Sequence, residues 1–465
     1  MTTLWSGRFD QAPDAAAFEW GSSFSFDRRL FEDDVTGSLA WARGLARAGV
    51  LSIDEAAAME AALSEILEHA RGVPAFVSGD DEDVHSFVER QLVARLGDTG
   101  KRLHTGRSRN EQVSLDLRLY LRRRIPALQH AVADAIGALT RQAREAGDSL
   151  MPSYTHFRPA QPVLVAHFLL AHAAPLRRDY DRLSMARQEA SALTLGSGAI
   201  AGTSYAVDVE AIARDLGFER IVANSIDASS DRDFAATFLY ACTMTMVHLS
   251  RLSEDVIIFC GDEHRFFEFS DALSTGSSMM PQKKNPDPLE LVRGKTGRAI
   301  GDLVALVTTM KGIPSGYNKD LQEDKHAVFD AEDTLAGCLA VVKSVIDGLT
   351  LNRDRAGAAA SGLLLATDVA DYLVGKGVPF RSAHEIVGAL VRRLVAEGRE
   401  FGSLSLEEWR ASSSRFDADI VDRVTPAASV AAKRTPQSTS PSAVAAAIAE
   451  SETWVARVTR GGPTP

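Results

Sequence analysis

Apolar residues recur at helical spacing through five long segments in the middle of the chain, with polar residues filling the positions between them. These segments run through residues 111–147, 162–190, 238–260, 289–310 and 328–349. Several of them exceed the average globular helix length of about 11 residues. Long helices with apolar stripes and few strands between them predict an elongated helical bundle. If an apolar stripe is wider than the part that the core of one bundle buries, the remaining apolar surface could mediate association between chains.

Shorter helical patterns flank this region on both sides and predict a three-domain organisation. We expect a small N-terminal helical domain over residues 1–108, a central long-helix bundle over 109–361 and a small C-terminal helical domain over 362–465. Aromatic residues make up only 7% of the chain, while Ala and Leu dominate, which favours helix over sheet. The predicted fold class is therefore mainly α.

The net charge and the cysteine content limit which classes of partner and which cellular compartment are expected for the protein. The formal net charge of −11 argues against nucleic acid or an anionic membrane as a general partner. Cys242, Cys260 and Cys338 lie in apolar, helix-patterned stretches without the spacing of a disulfide framework, as in reduced cytosolic proteins. The N-terminal residues lack the pattern of a signal peptide, and no apolar run is long enough to span a membrane. We therefore expect a cytoplasmic protein.

Three polar segments interrupt the helical pattern: "KRLHTGRSRNEQV" (101–113), "SYTHFRPAQP" (153–162) and "PSGYNKDLQEDK" (314–325). The first crowds arginines and lysines just before a long helix, where free N–H groups and guanidinium forks bind anions. The second places His156 in a proline-rich connection, and the third is more polar than a bundle connection needs. Each also has a structural interpretation: a capped basic turn, a structural histidine and a solvated loop.

The fourth segment, "STGSSMMPQKKNPDPLELVRGK" (274–295), has the composition of a mobile lid. Its Gly and Ser residues allow opening and closing, and Ser277 offers a hydroxyl. Lys283 and Asn285 are placed to bind an anion beside the next helix start. Glu290 stands at capping-box spacing from that start, which is its structural interpretation. A hydroxyl-bearing lid over a cationic site predicts an enzyme that acts on a carboxylate-rich substrate.

Several of these motifs together resemble one enzyme family. "TGSSMMPQKKNPD" is similar to the Gly-Ser-Ser, Met-Pro, Lys and Asn-Pro signature of the fumarase/aspartase superfamily, which eliminates fumarate from substituted succinates. The Gln-Lys-Lys-Asn-Pro spelling, with "LHTGRSRNEQV", "YTH", "NSIDASSDRDF" and "YNKDLQEDK", resembles the argininosuccinate lyases in particular. "LWSGRF" and "FDRRLFEDDVTGS" also fit, so the resemblance extends from about residue 4 to nearly the end.

The resemblance implies a mainly α-helical protein of three domains whose long helices assemble in a homotetramer. It implies reversible cleavage of L-argininosuccinate to L-arginine and fumarate, a step of arginine biosynthesis, without a cofactor or a metal. The implied partners are the small-molecule substrate and further copies of the chain, because the active sites of the family combine segments from three subunits.

The resemblance also implies roles for individual residues. Ser277 matches the general base, Lys283 the anion-binding lysine, His156 the histidine of the Thr-His pair, and Glu290 the carboxylate that orients it. Ser278 remains an alternative base. Substrate-binding or site-lining positions match Ser23, Asp83, Arg109, Asn110, Thr155, Asn285, Tyr317, Gln322 and Lys325.

One departure from the family pattern lies beside the histidine. Relatives typically continue the Thr-His pair with Leu-Gln, whereas this chain has Phe157 and Arg158. A cation beside His156 would alter its protonation if it pointed inward. We expect Arg158 to point outward, because the site residues on both sides match the family.

The chemistry explains why such residues are needed. Removing the proton next to one succinate carboxylate creates a doubly charged aci-carboxylate, which fixed positive charge and N–H donors must stabilise as it forms. A serine with an ordinary hydroxyl acts as the base only where loop closure excludes water and N–H donors surround it. Two alternatives stay open: a sister lyase acting on adenylosuccinate, malate or aspartate, and a catalytically silent, crystallin-like structural protein.

Overall fold

The computed structural model describes residues 14–460. The "LWSGRF" motif lies outside the described residues. Within them, no single helix has the length and apolar composition of a membrane span; one pair of helices joined at a bend, Arg353–Ala359 with Gly362–Gly375, meets those two criteria together.

Short and medium helices form the N-terminal part of the described chain. They are α1 (Ala15–Gly21), α2 (Phe24–Asp27), α3 (Phe31–Arg47), α4 (Ile53–Gly72), α5 (Val84–Leu96) and α6 (Asp98–Lys101). Capping side chains fix where they begin: Ser52 and Glu55 form a capping box on α4, and Asp83 caps α5 by accepting the Ser86 backbone N–H at 2.7 Å. The long helix α3 buries Trp41 completely.

Five long helices dominate the middle of the chain, as the apolar pattern predicts. In chain order this part contains α7 (Arg109–Ala146), β1 (Leu150–Thr155), β2 (Arg158–Leu164), α8 (Val165–Glu189), β3 (Ala192–Leu193), α9 (Val209–Asp215), β4 (Arg220–Ile221), α10 (Ser225–Ser230), α11 (Asp233–Cys260), β5 (Phe267–Glu268), β6 (Thr275–Gly276), β7 (Lys284–Asn285), α12 (Asp287–Met310), α13 (Asp324–Asp347) and β8 (Thr350–Leu351). Pro126 lies inside α7 without ending it.

These five helices alternate in direction, so the bundle has two ends. We call the end at which α7 begins end A and the end at which α7 finishes end B. At end A, Arg118 of α7 donates to the carbonyl of Glu189, the last residue of α8, at 3.2 Å. At end B, Arg141 of α7 forms an ion pair of 2.6 Å with Asp347, the last residue of α13.

The directions of α11 and α12 follow from two further contacts. Arg232, just before α11, forms an ion pair with Asp324 at the start of α13, which places both starts at end A. Near end B, Arg293 of α12 pairs with Glu254 of α11 at 2.5 Å, so these two helices run antiparallel.

The strands are short and lie at the margins of the bundle. β1 and β2 form an antiparallel hairpin with Leu150 opposite Leu164, in a segment where the sequence indicates only a connection. The remaining strands form three two-stranded pairs: β3 with β4, β5 with β8, and β6 with β7. The chain is mainly α-helical, as expected.

Shorter helices follow the bundle. They are α14 (Arg353–Ala359), α15 (Ala366–Gly375), α16 (Phe380–Glu397), α17 (Leu406–Ser412), α18 (Ile420–Arg423), α19 (Pro426–Ala432) and α20 (Pro441–Arg460). Single turns of 3-10 helix occur at Arg28–Leu30, Pro74–Phe76, Arg102–His104, Asp271–Leu273, Lys319–Glu323, Gly362–Leu365 and Phe401–Ser403.

The buried apolar residues form two separate clusters. A large one joins the N-terminal helices to the five long helices, and a small one lies within residues 365–424, around Trp409 and Phe416. The last helix, α20, buries Val444, Ile448 and Trp454 in the large cluster. The domain division at residues 108 and 361 stays a prediction.

Candidate active site

The segment 274–286, which we call the serine loop, is closed at its base by the β6–β7 pair. Thr275 lies opposite Asn285 and Gly276 opposite Lys284 in an antiparallel register. Ser277 is the first residue of the loop beyond this pairing. The loop lies at end B, because α12 begins there immediately after it.

The Ser277 hydroxyl oxygen accepts two backbone hydrogen bonds within the serine loop. The donors are the N–H groups of Met279 at 3.2 Å and Met280 at 3.0 Å. N–H donors aimed at a hydroxyl oxygen stabilise the alkoxide that forms when it loses its proton. Ser278 is exposed, and no described residue makes a hydrogen bond to its hydroxyl. The local geometry therefore favours Ser277 over Ser278 as the base.

The two adjacent lysines of the loop have different surroundings. Lys284 forms an ion pair of 2.8 Å with Asp271 and donates to the carbonyl of Phe269, and the hydrogen bond to Asp271 raises the pKa of its ammonium group. Lys283 is exposed, and within residues 14–460 its ammonium group has no hydrogen bond or ion pair. Lys284 thus fastens the loop, whereas Lys283 is available to an anion.

The start of α12 does not use the predicted capping box. The helix begins at Asp287, Pro286 precedes it, and no side chain among residues 14–460 caps its N–H groups. The Asp287 carboxylate instead accepts a hydrogen bond from the Thr275 hydroxyl. The capping-box interpretation of Glu290 is therefore wrong, and this glutamate is exposed.

The tip of the β1–β2 hairpin presents the Thr-His pair. Thr155 and His156 are exposed, and His156 and Phe157 adopt left-handed backbone conformations with φ of 54° and 56°. Such values are uncommon for residues other than glycine and are found preferentially at functional sites. Arg158 lies opposite Thr155 and is exposed, consistent with the expected outward orientation.

The other predicted binding residues lie at end A and form what we call the binding cluster. Its members are Ser23, Asp83, Arg109, Asn110, Tyr317, Gln322 and Lys325. Ser23 is 4% exposed and donates its hydroxyl hydrogen to Asp27. Asp83 accepts a charge-assisted hydrogen bond of 3.1 Å from Arg109 while it caps α5. Asp27 also accepts the backbone N–H of Val84 at 3.0 Å, so these contacts join α2, α5 and the start of α7.

The polar segment before α13 completes the binding cluster. Lys325 is only 3% exposed, and its ammonium group lies 2.7 Å from Asp324, which Arg232 also contacts. Burial raises the pKa of the Tyr317 phenol to about 12, so this side chain is a neutral hydrogen-bond donor at physiological pH. Gln322 donates to the carbonyl of Gly21 at 3.4 Å, which brings this segment against the N-terminal helices.

The structure thus divides the predicted residues into two groups at opposite ends of one chain. With a rise of 1.5 Å per residue, the 38 residues of α7 separate Asn110 from the base of the hairpin by about 55 Å. The 24 residues of α12 separate the serine loop from Tyr317 by about 35 Å. Ser277, Lys283, Asn285, Glu290, Thr155 and His156 lie at end B, and the binding cluster lies at end A.

A buried charged cluster lies beneath the binding cluster. Asp34, His85 and Asp116 place a possible metal ligand atom each within 4.8 Å of the others. Although burial disfavours the charged imidazole, the Asp34 carboxylate raises the pKa of His85. Burial and the neighbouring Asp34 carboxylate raise the pKa of Asp116, and the buried Arg107 guanidinium lies beside both acids, so the donor set does not fit a resident divalent cation.

Comparison with known proteins gives the family. Residues 7–301 match the protein family described as lyase, and residues 363–431 match the family described as argininosuccinate lyase C-terminal. The argininosuccinate lyase of Desulforudis audaxviator (strain MP104C) is 46% identical over 98% of this chain and 100% of the relative. That of Roseiflexus sp. (strain RS-1) is 47% identical over 97% of this chain and 99% of its own length. The chain belongs to the argininosuccinate lyase family.

Solved structures of other lyases share the fold. EDDS lyase in complex with formate superposes with a TM-score of 0.83 at 25% identity, covering 97% of this chain and 93% of that one. An EDDS lyase variant with bound fumarate gives a TM-score of 0.82 at the same identity and coverage. The class II fumarase of Schistosoma mansoni, at 15% identity, shares the fold with a TM-score of 0.75.

In this member of the argininosuccinate lyase family, sequence reasoning missed two residues that hold the binding cluster together. Arg232 and Asp324 are fully buried, and together they fix Lys325. The sequence does contain a feature that could have indicated them. Arg232 lies next to Asp231, and Asp324 lies next to Lys325, each in a polar motif between helical segments. Such charges are usually solvated, so only the packing reveals that these are buried.

Proposed function

We propose that the protein cleaves L-argininosuccinate reversibly to L-arginine and fumarate by abstraction of a proton by Ser277. Membership in the argininosuccinate lyase family supports the substrate. The assignment of the base depends on one observation: the backbone N–H groups of Met279 and Met280 donate hydrogen bonds to the Ser277 hydroxyl oxygen. They meet the requirement that a serine base be surrounded by donors that stabilise its alkoxide.

The reaction begins with removal of the proton next to one succinate carboxylate. That carboxylate then carries two negative charges, which Lys283, Asn285 and the N–H groups at the start of α12 are proposed to stabilise. Collapse of this intermediate breaks the C–N bond and releases fumarate. The leaving guanidinium departs as a neutral amine-like group, so acid assistance is less critical than for a hydroxide leaving group.

His156 and Glu290 are proposed as the proton-donating or orienting pair on the leaving-group side. Both are exposed at end B of a single chain, where neither is engaged by a described partner. An exposed histidine and an exposed carboxylate are poor contributors to folding, which favours a role for them in the assembled site.

The binding cluster is proposed to hold the charged groups at the arginine end of the substrate. It offers the Lys325 ammonium and Arg109 guanidinium to carboxylates, and Asp83 to a cation. Tyr317 and Gln322 add neutral hydrogen-bonding groups. Opposite charges fixed before the substrate arrives reduce the entropy lost on binding.

A complete site requires more than one chain, because its two halves lie at opposite ends of the bundle. Antiparallel packing of bundles from several chains would bring end A of one against end B of another. The exposed face of α12 supports such packing: Ile300, Val304 and Val307 are between 43% and 59% exposed. On the same face, Cβ atoms at Gly297 and Gly301 would meet no described residue within 4 Å. We propose a homotetramer with shared sites in the cytoplasm.

The test of this function is direct. The purified protein is incubated with argininosuccinate, and fumarate is followed by its ultraviolet absorbance. Adenylosuccinate, malate and aspartate are offered in parallel at equal concentration. Turnover of argininosuccinate alone supports the proposal; turnover of another substrate would identify a sister lyase. A folded, soluble tetramer that turns over none of the four would indicate a structural, crystallin-like protein.

A further inference from the structure

Glu111 does more than cap the helix on which it lies. Its carboxylate accepts the backbone N–H of Ser108 at 3.1 Å, completing the capping box that begins α7. The same carboxylate accepts the backbone N–H of Ser197 at 2.8 Å. Glu111 is completely buried, so these donors are not replaced by water. One carboxylate therefore joins two segments that are distant in sequence.

The second segment is the glycine loop, which we define as residues 195–205, "LGSGAIAGTSY". Gly198 has a φ of 57°, and a Cβ added there would lie 2.5 Å from the carbonyl oxygen of Gly202. The loop also packs closely against the turn before α7, because a Cβ on Gly106 would lie 2.6 Å from the Thr203 hydroxyl. Its compact conformation thus depends on glycine and leaves no room for repacking.

We call the hydrogen bonds from Ser108 and Ser197 to the Glu111 carboxylate the clasp. The clasp is connected to the binding cluster through Asn110. This residue precedes Glu111 on α7, and its side-chain amide donates to the carbonyl of Ala199 in the glycine loop at 3.5 Å. A cavity of about 330 Å³ opens beside it, lined by residues of the turn before α7 and of the glycine loop, including Ser108 and Thr203. The position of Asn110 and the wall of this cavity are therefore set together.

We propose that Glu111 is a positioning residue that fastens the glycine loop to the start of α7 and so fixes Asn110 and the adjoining cavity wall for substrate binding. This inference rests on the proposed function, since Asn110 is a binding residue only if the chain binds argininosuccinate. It assigns to a buried glutamate and a glycine loop a part in binding, without placing either in contact with the reacting atoms.

The test is the substitution Glu111→Gln, which keeps the size of the side chain but replaces one acceptor oxygen with a donor. The steady-state KM for argininosuccinate should rise about tenfold, the equivalent of one charge-assisted hydrogen bond, while kcat changes much less. Gly198→Ala should also raise KM, because the added Cβ would clash with the Gly202 carbonyl and distort the glycine loop. Thermal midpoints of both variants show whether the fold is retained.

Two matched controls separate the clasp from ordinary helix capping. Glu55→Gln removes the equivalent capping-box glutamate of α4, whose other side-chain partner is Arg102 rather than the glycine loop, and should leave KM unchanged. Ser197→Ala should also leave KM unchanged, because the donor to Glu111 is the backbone N–H rather than the hydroxyl. An unchanged KM in Glu111→Gln, or an equal rise in Glu55→Gln, would overturn the proposal.

A measurement without substrate keeps this inference distinguishable from the proposed function. Amide hydrogen exchange within residues 196–203 should be faster in Glu111→Gln than in the wild type, and unchanged in Glu55→Gln. Unaltered exchange in the loop would refute the clasp even in a protein active on argininosuccinate. Faster exchange in a protein inactive on argininosuccinate would retain the clasp and refute only its role in binding that substrate. Should Glu111→Gln fail to fold, Gly198→Ala alone carries both measurements.

Discussion

The backbone N–H of Met280 donates to the hydroxyl oxygen of Ser277 across 3.0 Å, inside a loop whose stems are paired. This contact is local: donor and acceptor are three residues apart, so the loop carries its own stabilisation for a developing alkoxide. A serine with such a donor needs less help from the rest of the assembly to act as a base. The serine loop has no binding cluster beside it within its own chain, because that cluster lies at the other end of the bundle.

Ser277→Ala should abolish elimination with little effect on folding or on substrate affinity. Among the described residues, the hydroxyl forms hydrogen bonds only within its own loop, and a base acts in the transition state rather than in the bound ground state. The measurements are kcat from fumarate release and Kd for argininosuccinate by calorimetry. Ser278→Ala is the matched control and should stay active. The opposite pattern, with Ser278→Ala inactive and Ser277→Ala active, would exchange the two assignments.

Substitution of the two adjacent lysines should separate charge stabilisation from loop anchoring. Lys283→Met should reduce kcat about a hundredfold or more, because it removes one fixed charge from the developing dianion. Lys284→Met should reduce kcat less, and Lys284→Arg should restore much of the loss by renewing the ion pair with Asp271. Near-normal kcat in Lys283→Met would refute the proposed anion site. A failure of arginine to rescue position 284 would refute the anchoring role.

The long helices were predictable because their signal is local and repeated. The apolar stripe from residue 111 to 147 marks α7 to within about two residues at either end, and Pro126 does not end it because tertiary packing outweighs a single missing hydrogen bond. The β1–β2 hairpin was not predictable in the same way. Its three prolines indicate a connection rather than a strand: Pro152, Pro159 and Pro162. A two-stranded hairpin tolerates them because each strand has an outer edge at which no backbone N–H is needed for pairing.

The site was predictable by motif but not by arrangement. Sequence motifs indicate Ser277, Lys283 and His156 individually, whereas their distance from Asn110 depends on helix directions that only the packing reveals. The capping-box interpretation of Glu290 failed because the helix begins one residue earlier than the spacing suggests. The clasp at Glu111 was not predictable for a related reason. The sequence indicates only that Glu111 caps its own helix, and its contact with the glycine loop is evident only in the folded structure.

The pH dependence of stability should contain a contribution from Asp33. Burial raises the pKa of this carboxyl from 3.8 to about 6, despite the hydrogen bond from Arg123. Between these values the folded protein holds the proton more tightly than the unfolded chain, so this contribution is full below pH 3.8 and lost as the pH rises through 6. Its size is roughly 3 kcal/mol.

Asp33→Asn should remove that contribution. The thermal midpoint of the variant, measured against the wild type from pH 4.5 to 7.5, should improve relative to the wild type as the pH rises, and level off above about 6. Asp181→Asn, at an exposed position of α8, is the control and should show a constant difference. A parallel pair of curves for Asp33→Asn and the wild type would contradict the raised pKa.

The separation of the two halves of the site leads to the most demanding prediction. Ser277→Ala and Asn110→Leu proteins should each be inactive alone and should regain activity when mixed, partially denatured and reassembled. If a site takes Ser277 from one chain and Asn110 from another, random assembly of equal amounts leaves about a quarter of sites with neither substitution. Ser277→Ala mixed with His156→Asn tests in the same way whether the hairpin tip comes from a different chain than the serine loop.

The matched control for reassembly is a mixture of Ser277→Ala with Lys283→Met. Both residues belong to one serine loop, so every site in a hybrid carries one substitution or the other, and no activity should return. Recovery toward a quarter of wild-type activity in the first mixture, with none in the control, supports sites shared between chains. Hybrids shown to form by native mass spectrometry, yet inactive for Ser277→Ala with Asn110→Leu, would mean that both residues reach a site from one chain. That result would require residues from end A and end B of the same bundle to meet, although the 24 residues of α12 alone span about 35 Å.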